Sequence, residues 1–334
     1  MKIYYLSFLL FILCTLEINC SKNNPVESVP YTKDSNIYLT MYLVNGNYQL
    51  SWNSITDQDS IRYNIYRRSN YTVSWSKLVE VKDTTWIDSS ILNFNGLCFY
   101  QYSVTYENNH HAESKFSSPV SVYTLTDNFN DNIDRWGDTT DSKSDSNYLV
   151  VGGQFRIKSI KGWFLGSEAG LNTWKDVIIE VDAKSEPGLD MGDYPYLGID
   201  FRLTIKDSLP IFYEYTIYHN YSTSFQKYES ENWSIISRID SKPNIYQWNK
   251  YRVEMVGTSC KGFINGRLEN SVDLNRDILT KGNIGLATGD GVTTYFDNVK
   301  VLVTNWDTTQ AIRKLTNITT VSRFYNSKAY LMSK

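Results

Sequence analysis

GNIGLATGDGVTTYFDNVKV, residues 282–301, decides the fold class of this chain. A Gly-rich turn, Gly289-Asp290-Gly291, joins an alternating strand that ends in the Asp297-Asn298 pair. Tight Gly-containing turns between alternating runs are the signature of β-structure. The stretch therefore predicts strand structure around a tight turn close to the end of a strand-rich domain.

Composition points the same way. With 26 Tyr, 14 Phe and 9 Trp against 7 Pro and 18 Gly, the 334 residues favour half-buried pleated strands over helix or disorder. The length suits two cores. A formal net charge of -3 with 21% charged residues offers no broad basic surface, which excludes nucleic acid as a partner. Cys98 and Cys260 fall one to each half, without a partner set for nucleophilic or redox work, and read as small buried apolar residues.

The first twenty residues, MKIYYLSFLLFILCTLEINC, hold one Lys and an apolar run over 3–16. That run is shorter than the roughly 20 residues needed to span a bilayer and matches the apolar core of an export signal. Its end at Cys20 resembles a bacterial lipoprotein signal, which implies lipidation of Cys20, a lipid anchor in the membrane and an exported, cell-envelope location. Glu17 and Asn19 depart from that pattern, and ordinary secretion or an uncleaved anchor is the alternative. Residues 21–30, with Pro25 and Pro30, read as a tether.

Over 31–124 short alternating runs follow one another with turn signals between them, among them Asn45-Gly46. Leu50-Ser51-Trp52, Tyr63-Asn64-Ile65-Tyr66, Gly96 with Tyr100 and Tyr102, and Ser117-Ser118-Pro119-Val120 resemble, in that order, a fibronectin type III domain. The resemblance implies a seven-stranded sandwich with Trp52 in its core and a spacer role. His110 and His111 sit in a polar stretch without acidic or Cys partners and read as a solvated tip.

Residues 126–303 form the second unit. Asp127-Asn128-Phe129, Trp136, Val151-Gly152-Gly153, Trp248-Asn249-Lys250-Tyr251 and Phe263-Ile264-Asn265-Gly266 resemble concanavalin A-like and laminin G-like jelly rolls, and the 282–301 stretch their last hairpin. The fold class is therefore all-β: two β-sandwich domains, fibronectin type III-like then concanavalin A-like, with residues 304–334 left as a tail that could be a helix, a surface strand or frayed chain.

Strand alternation assigns faces. In 197–205, Leu197, Ile199, Phe201, Leu203 and Ile205 face the core, so Asp200, Arg202 and Thr204 face out; in 177–184, Val177, Ile179, Val181 and Ala183 go inward and leave Glu180, Asp182 and Lys184 on the other face. If both strands share the concave sheet, Glu180, Asp182, Asp200 and Arg202 form a ligand-binding cluster in the groove. Trp163, Tyr194, Tyr196 and Trp233 are candidate stacking platforms for sugar rings, with Trp163 and Tyr196 foremost. Asp127 and Asp297 fall near the two ends of the domain, where related domains hold a structural Ca2+; Asp297 joins such a site or simply caps a turn.

No catalytic residue is assigned. Glu180-Val181-Asp182-Ala183-Lys184-Ser185-Glu186 looks like the acid strand of jelly-roll glucanases, but Lys184 stands where a carboxyl is needed. Retaining hydrolysis requires two carboxyls about 5–5.5 Å apart. Gly198-Ile199-Asp200-Phe201-Arg202 with the terminal Phe296-Asp297-Asn298-Val299 resembles the keto-disaccharide hydrolase type of domain, which supplies the enzyme alternative. The leading expectation is a surface protein that binds polysaccharide, glycoprotein or another surface protein. If Cys20 is acylated, wild-type protein partitions into detergent and Cys20→Ala is released or left unprocessed; identical fractionation and processing of the two forms would defeat the anchor.

Overall fold

The computed structural model describes residues 36–307, apart from 45–46, 56–60, 71, 92–94, 109–111, 131–135, 137–146, 207–208 and 275–278, together with 323–327. The readings of an export signal, a lipidated Cys20, a tether, a turn at Asn45-Gly46 and a solvated tip at His110-His111 fall on residues outside the described ones. Among the described residues there is no helix.

The first half contributes β1 (Thr40–Val44), β2 (Asn47–Ser51), β3 (Arg62–Ser69), β4 (Thr72–Val81), β5 (Thr85–Asp88), β6 (Gly96–Glu107) and β7 (Val120–Asp127). Strands β1-β2-β5 form one antiparallel sheet and β4-β3-β6-β7 run consecutively in another. Alternate residues of these strands, Tyr48 and Leu50, Tyr63 and Ile65, Tyr100, Tyr102 and Val104, meet in one core with Trp52, which packs edge-on against Tyr63. Asp88 is buried there, but the Arg67 guanidinium and the Tyr102 hydroxyl both donate to its Oδ2 at 2.7 Å. A buried charge is tolerated because it is paired and hydrogen-bonded.

The second half contributes β8 (Tyr148–Val151), β9 (Gln154–Lys158), β10 (Trp163–Ala169), β11 (Trp174–Pro187), β12 (Tyr196–Lys206), β13 (Leu209–Tyr218), β14 (Thr223–Glu229), β15 (Asn232–Ile239), β16 (Asn249–Val256), β17 (Ser259–Ile264), β18 (Arg267–Asp273), β19 (Asn283–Gly289), β20 (Val292–Trp306) and β21 (Arg323–Ser327). A seven-stranded sheet runs β15-β14-β13-β12-β19-β10-β21, so part of the tail is a strand on the β10 edge. Its inner face, with Leu197, Ile199, Tyr213, Tyr215 and Leu286, packs on Val177, Ile179, Val181, Val253 and Val301 of the larger sheet.

Three expectations are corrected. The Gly289-Asp290-Gly291 turn does not close a hairpin: β19 belongs to the seven-stranded sheet and β20 to the larger one, so the chain crosses between layers there. Asp290 and Gly291 take positive φ of 61° and 85°, and Asp290 pins the crossing by accepting from the Gly162 and Tyr194 amides at 3.1 and 2.8 Å. Strands β11 and β12 also fall in different sheets, which separates Glu180 and Asp182 from Asp200 and Arg202. Finally, alternation in β12 breaks at Arg202, whose φ of 53° coincides with a register shift against both neighbours. Leu203 is thereby thrown to the outer face, and Ile205 is half exposed instead of buried in the core.

The two halves are joined through β7. It pairs with β6 on one edge and with β20 on the other, so one sheet runs through both units. Tyr123 and Leu125 of β7 enter the second core, while Ile178 and Leu302 of β11 and β20 enter the first. Burying a Leu or Tyr of this kind is worth about 2 kcal/mol. A fragment of residues 128–307 is therefore expected to melt about 10 °C below one of residues 118–307, measured by calorimetry; equal midpoints would show that β7 adds nothing to the second unit.

Candidate functional site

On the outer face of the seven-stranded sheet, polar residues occupy one line across the strands. Cross-strand partners are Gln226 with Glu214, Glu214 with Asp200, Asp200 with Gly285, and Gly285 with Glu168. All three carboxylates are buried, at 0% exposure for Asp200 and Glu214 and 3% for Glu168. The local sequence explains the placement: core-facing Ile199 and Phe201 flank Asp200, and Tyr213 and Tyr215 flank Glu214, so the pleat turns both acids outward. Two glycines make room for them. A Cβ on Gly198 would lie 2.3 Å from Glu214 Oε2, and one on Gly285 would lie 2.6 Å from Asp200 Oδ2.

Hydrogen bonds hold one side of the line. The Thr216 hydroxyl donates to Glu214 Oε1 and accepts from Gln226 Nε2 at 2.7 Å; that amide also reaches the Tyr218 hydroxyl at 2.9 Å. Asn283 Nδ2 donates to Glu168 Oε2 at 3.0 Å. By contrast, beyond the contact between the two acids, both oxygens of Asp200 and Oε2 of Glu214 meet no donor among the described residues. Buried acceptors without donors cost roughly 1–3 kcal/mol each and call for a proton or a ligand.

Aromatic rings border the line on both sides. Phe164, Phe212, Tyr228 and Trp233 form one cluster; Tyr196 packs on Tyr218, and Tyr221 on Tyr194. Strands β10 and β13 are separated by β19 and β12, about 14 Å on a flat sheet, yet the Phe164 and Phe212 rings are 6.3 Å apart. The sheet must therefore curl so that this face is concave, with rings meeting across it.

Burial dominates the titration of the acid pair. It pushes Asp200 well above the usual carboxylate range, reinforced by the neighbouring Glu214 and more distantly by Glu168. Burial also lifts Glu214, to about 7, against the hydrogen bonds from Thr216 and Asp200 that favour its charge. Two like charges in contact in a dry site cannot both ionise. Near neutrality the pair holds one shared proton, making one member an acid and the other a base.

The expected site residues divide. Tyr196 and Asp200 lie on this face, and of the other aromatic platforms Tyr194 and Trp233 border it. Arg202 does not: its guanidinium turns away, donating to the carbonyls of Lys175, Leu279 and Gly257 at 3.2, 2.9 and 2.6 Å beside Asp176. Trp163 starts β10 with the parity of the core residue Leu165, and its carbonyl accepts from the Asp290 amide. Glu180 and Asp182 lie on the larger sheet, where both pair with Lys250 at 3.3 and 2.9 Å. Asp127 and Asp297 are not brought together: Asp127 shares the inward parity of Leu125 and caps the Phe129 amide, whereas Asp297 faces out beside Asp182. That arrangement does not fit a shared Ca2+, and the described residues hold no cluster of three metal-ligating side chains. Glu214, Glu168 and Gln226 were missed. The available signal was a lone acid in the middle of an otherwise apolar strand, Pro210-Ile211-Phe212-Tyr213-Glu214-Tyr215.

The sequence profile of the 3-keto-alpha-glucoside-1,2-lyase-like domain matches residues 124–302, which span β8 to β19 with half of β7 and most of β20. The chain belongs to this family. Asp200, Glu214, Glu168 and the aromatic border all fall inside the lyase-like domain. No curated protein matches the chain in sequence. Among solved structures, the carbohydrate-binding module CBM66 from Bacillus subtilis is 21% identical, covering 44% of this chain and 85% of its own, with a TM-score of 0.37. A Bacillus licheniformis beta-glucanase is 13% identical over 55% of this chain and 98% of its own, with a TM-score of 0.39. The catalytic domain of a laminarinase from Thermotoga petrophila is 11% identical over 48% and 82%, with a TM-score of 0.31.

The raised acid pair makes stability depend on pH. Between the ordinary glutamate value of 4.5 and about 7, the folded lyase-like domain binds a proton that the unfolded chain has released. The contribution of Glu214 to stability is thus full below 4.5 and is lost as pH rises from there through about 7. Glu214→Gln removes that loss, so its unfolding free energy relative to wild type, read from denaturant melts, is expected to rise between pH 5 and pH 8 by on the order of 3 kcal/mol. A pH-independent difference between the two proteins would show that Glu214 titrates normally.

Proposed function

We propose that the lyase-like domain is a carbohydrate-processing enzyme in which Asp200 and Glu214 move protons on a keto-glycoside. The observation that carries this reading is the buried carboxyl pair, in contact and sharing one proton, inside a domain whose family is named for 1,2-elimination from 3-keto-alpha-glucosides. In such a sugar the C3 carbonyl acidifies the proton on C2. A carboxylate takes that proton, the electron pair becomes the C1–C2 double bond, and the glycosidic oxygen leaves C1 with a proton from an acid. One ionised and one protonated carboxyl, with a pKa near the working pH, match this demand. No water is consumed, which suits acids that solvent does not reach.

Two-carboxylate hydrolysis fits less well. Acids in direct contact are too close for the separation of about 5–5.5 Å that a retaining glycosidase requires, or for the wider gap of an inverting one. Substrate must displace or open the aromatic border, because both acids are enclosed in this conformation. That enclosure also favours a second reading, in which the concave face binds a glycan without turning it over. In either reading the fibronectin type III-like first unit and a lipidated Cys20 would hold the domain at the cell envelope.

The test is to incubate the protein with methyl 3-keto-α-glucoside and follow release of methanol and growth of the conjugated enone absorbance. Wild type is expected to release both together, with Asp200→Asn and Glu214→Gln each slower by about 100-fold or more. Saturable binding with no turnover would establish the binding reading, and full activity in both variants would remove the pair from the chemistry.

A further inference from the structure

The larger sheet carries a second cleft, on its outer face and behind the core from the acid pair. Its volume is about 410 Å3, and its walls include Asp182 of β11, Trp248 just before β16, Lys250 of β16, Asn265 of the following hairpin, and Asp297 and Asn298 of β20. A cleft of this size is at the small end of ligand sites, which run from about 300 to 1,000 Å3.

We propose that this cleft is a separate carbohydrate-binding site, taking one end of a glycan built of glucose units, the sugar for which the family is named. Sugar rings present an apolar C–H face and a rim of hydroxyls, and the cleft offers one partner for each. Trp248, 43% exposed, is its single large aromatic platform. Around it stand amides and carboxylates whose geometry is already fixed. Asn298 Nδ2 donates to Asp182 Oδ2 at 3.0 Å, Asn265 Nδ2 donates to Asn249 Oδ1 at 2.9 Å, and the Lys250 amide donates to Asn265 Oδ1 at 2.9 Å. Positive φ at Asn265 and Asn298, 52° and 50°, sets the first amide at the turn between β17 and β18 and the second at an irregularity within β20. Groups held in this way lose little conformational freedom on binding. Capacity remains: Asp297 uses one oxygen to cap the Asn298 amide at 2.7 Å, and neither its other oxygen nor the Gln154 side-chain amide on the cleft wall has a partner among the described residues.

Other ligand classes fit worse. Asp182 and Asp297 outnumber Lys250, which disfavours phosphate and other anions. Asp182 is spent on Lys250 and Asn298, leaving too few free oxygens for a hard cation, which takes six or more. Strand addition by a peptide is blocked because β11 and β16 are hydrogen-bonded on both edges. The site does not depend on the lyase reading, and a glycan held here would keep the concave face near a polymer.

The full chain is titrated with maltotriose and with cellotriose by calorimetry and tryptophan fluorescence. At least one is expected to bind saturably, with Trp248→Ala weakening it about tenfold or more and Asp297→Asn several-fold, while Asp200→Asn binds as wild type. Asp297→Asn keeps the shape of the cleft and decides the matter if Trp248→Ala is unstable. Binding of neither trisaccharide, unchanged affinity in the cleft variants, or loss of binding in Asp200→Asn instead would overturn the proposal. Turnover of the keto-glucoside by Trp248→Ala separates this outcome from the fate of the acid pair.

Discussion

Strand β20 is the piece on which both units depend. It is paired with β11 from Val292 to Trp306, and its other edge is taken first by β9 and then by β7. Its inward residues Phe296, Val299, Val301 and Val303 sit in the second core, while Leu302, of opposite parity, reaches into the first. A central strand cannot shift register by one residue without turning its whole apolar set to the wrong side. The pairing therefore fixes where the first unit stands on the second, and it makes the connection a sheet instead of a flexible linker.

The same strand links the two candidate sites. At its start, the Asp290 corner carries the chain from the acidic face to the larger sheet, and Thr288 and Thr294 hydroxyls, 2.6 Å apart, bridge the layers beside it. Midway along, the irregularity at Asn298 lets Phe296 and Val299 both face the core and leaves Asp297 on the outer cleft. One sandwich thus carries a dry, proton-sharing pair on its concave side and a wet, pre-arranged polar cleft on the other. The physical demands differ accordingly. Proton transfer needs raised carboxyl pKa values and low solvent access, whereas recognition of hydroxyls needs fixed donors and acceptors within reach of water.

Much of this was legible in the chain. Alternation correctly assigned Val177, Ile179, Val181 and Ala183, and Leu197, Ile199 and Phe201, to the core, because the two-residue period of a strand is a local property. It placed Asp200 on the opposite face for the same reason, and the composition rich in Tyr, Phe and Trp gave the all-β class. Cys98 and Cys260 are buried free thiols, as expected of isolated cysteines in strands.

What the sequence could not determine lies where distant segments meet. The face of Arg202 changed because a bulge, set by pairing with β13 and β19, interrupts the period, and nothing in Phe201-Arg202-Leu203 announces it. Whether the Gly289-Asp290-Gly291 turn closes a hairpin or crosses between layers depends on which strands lie beside it, since both uses call for the same residues. Most of all, Glu214 acquires meaning only opposite Asp200. A single acid in an apolar strand is a local oddity; two acids brought into contact across a sheet, with burial withholding the water that would let both ionise, are a proton-sharing pair that only the tertiary structure assembles.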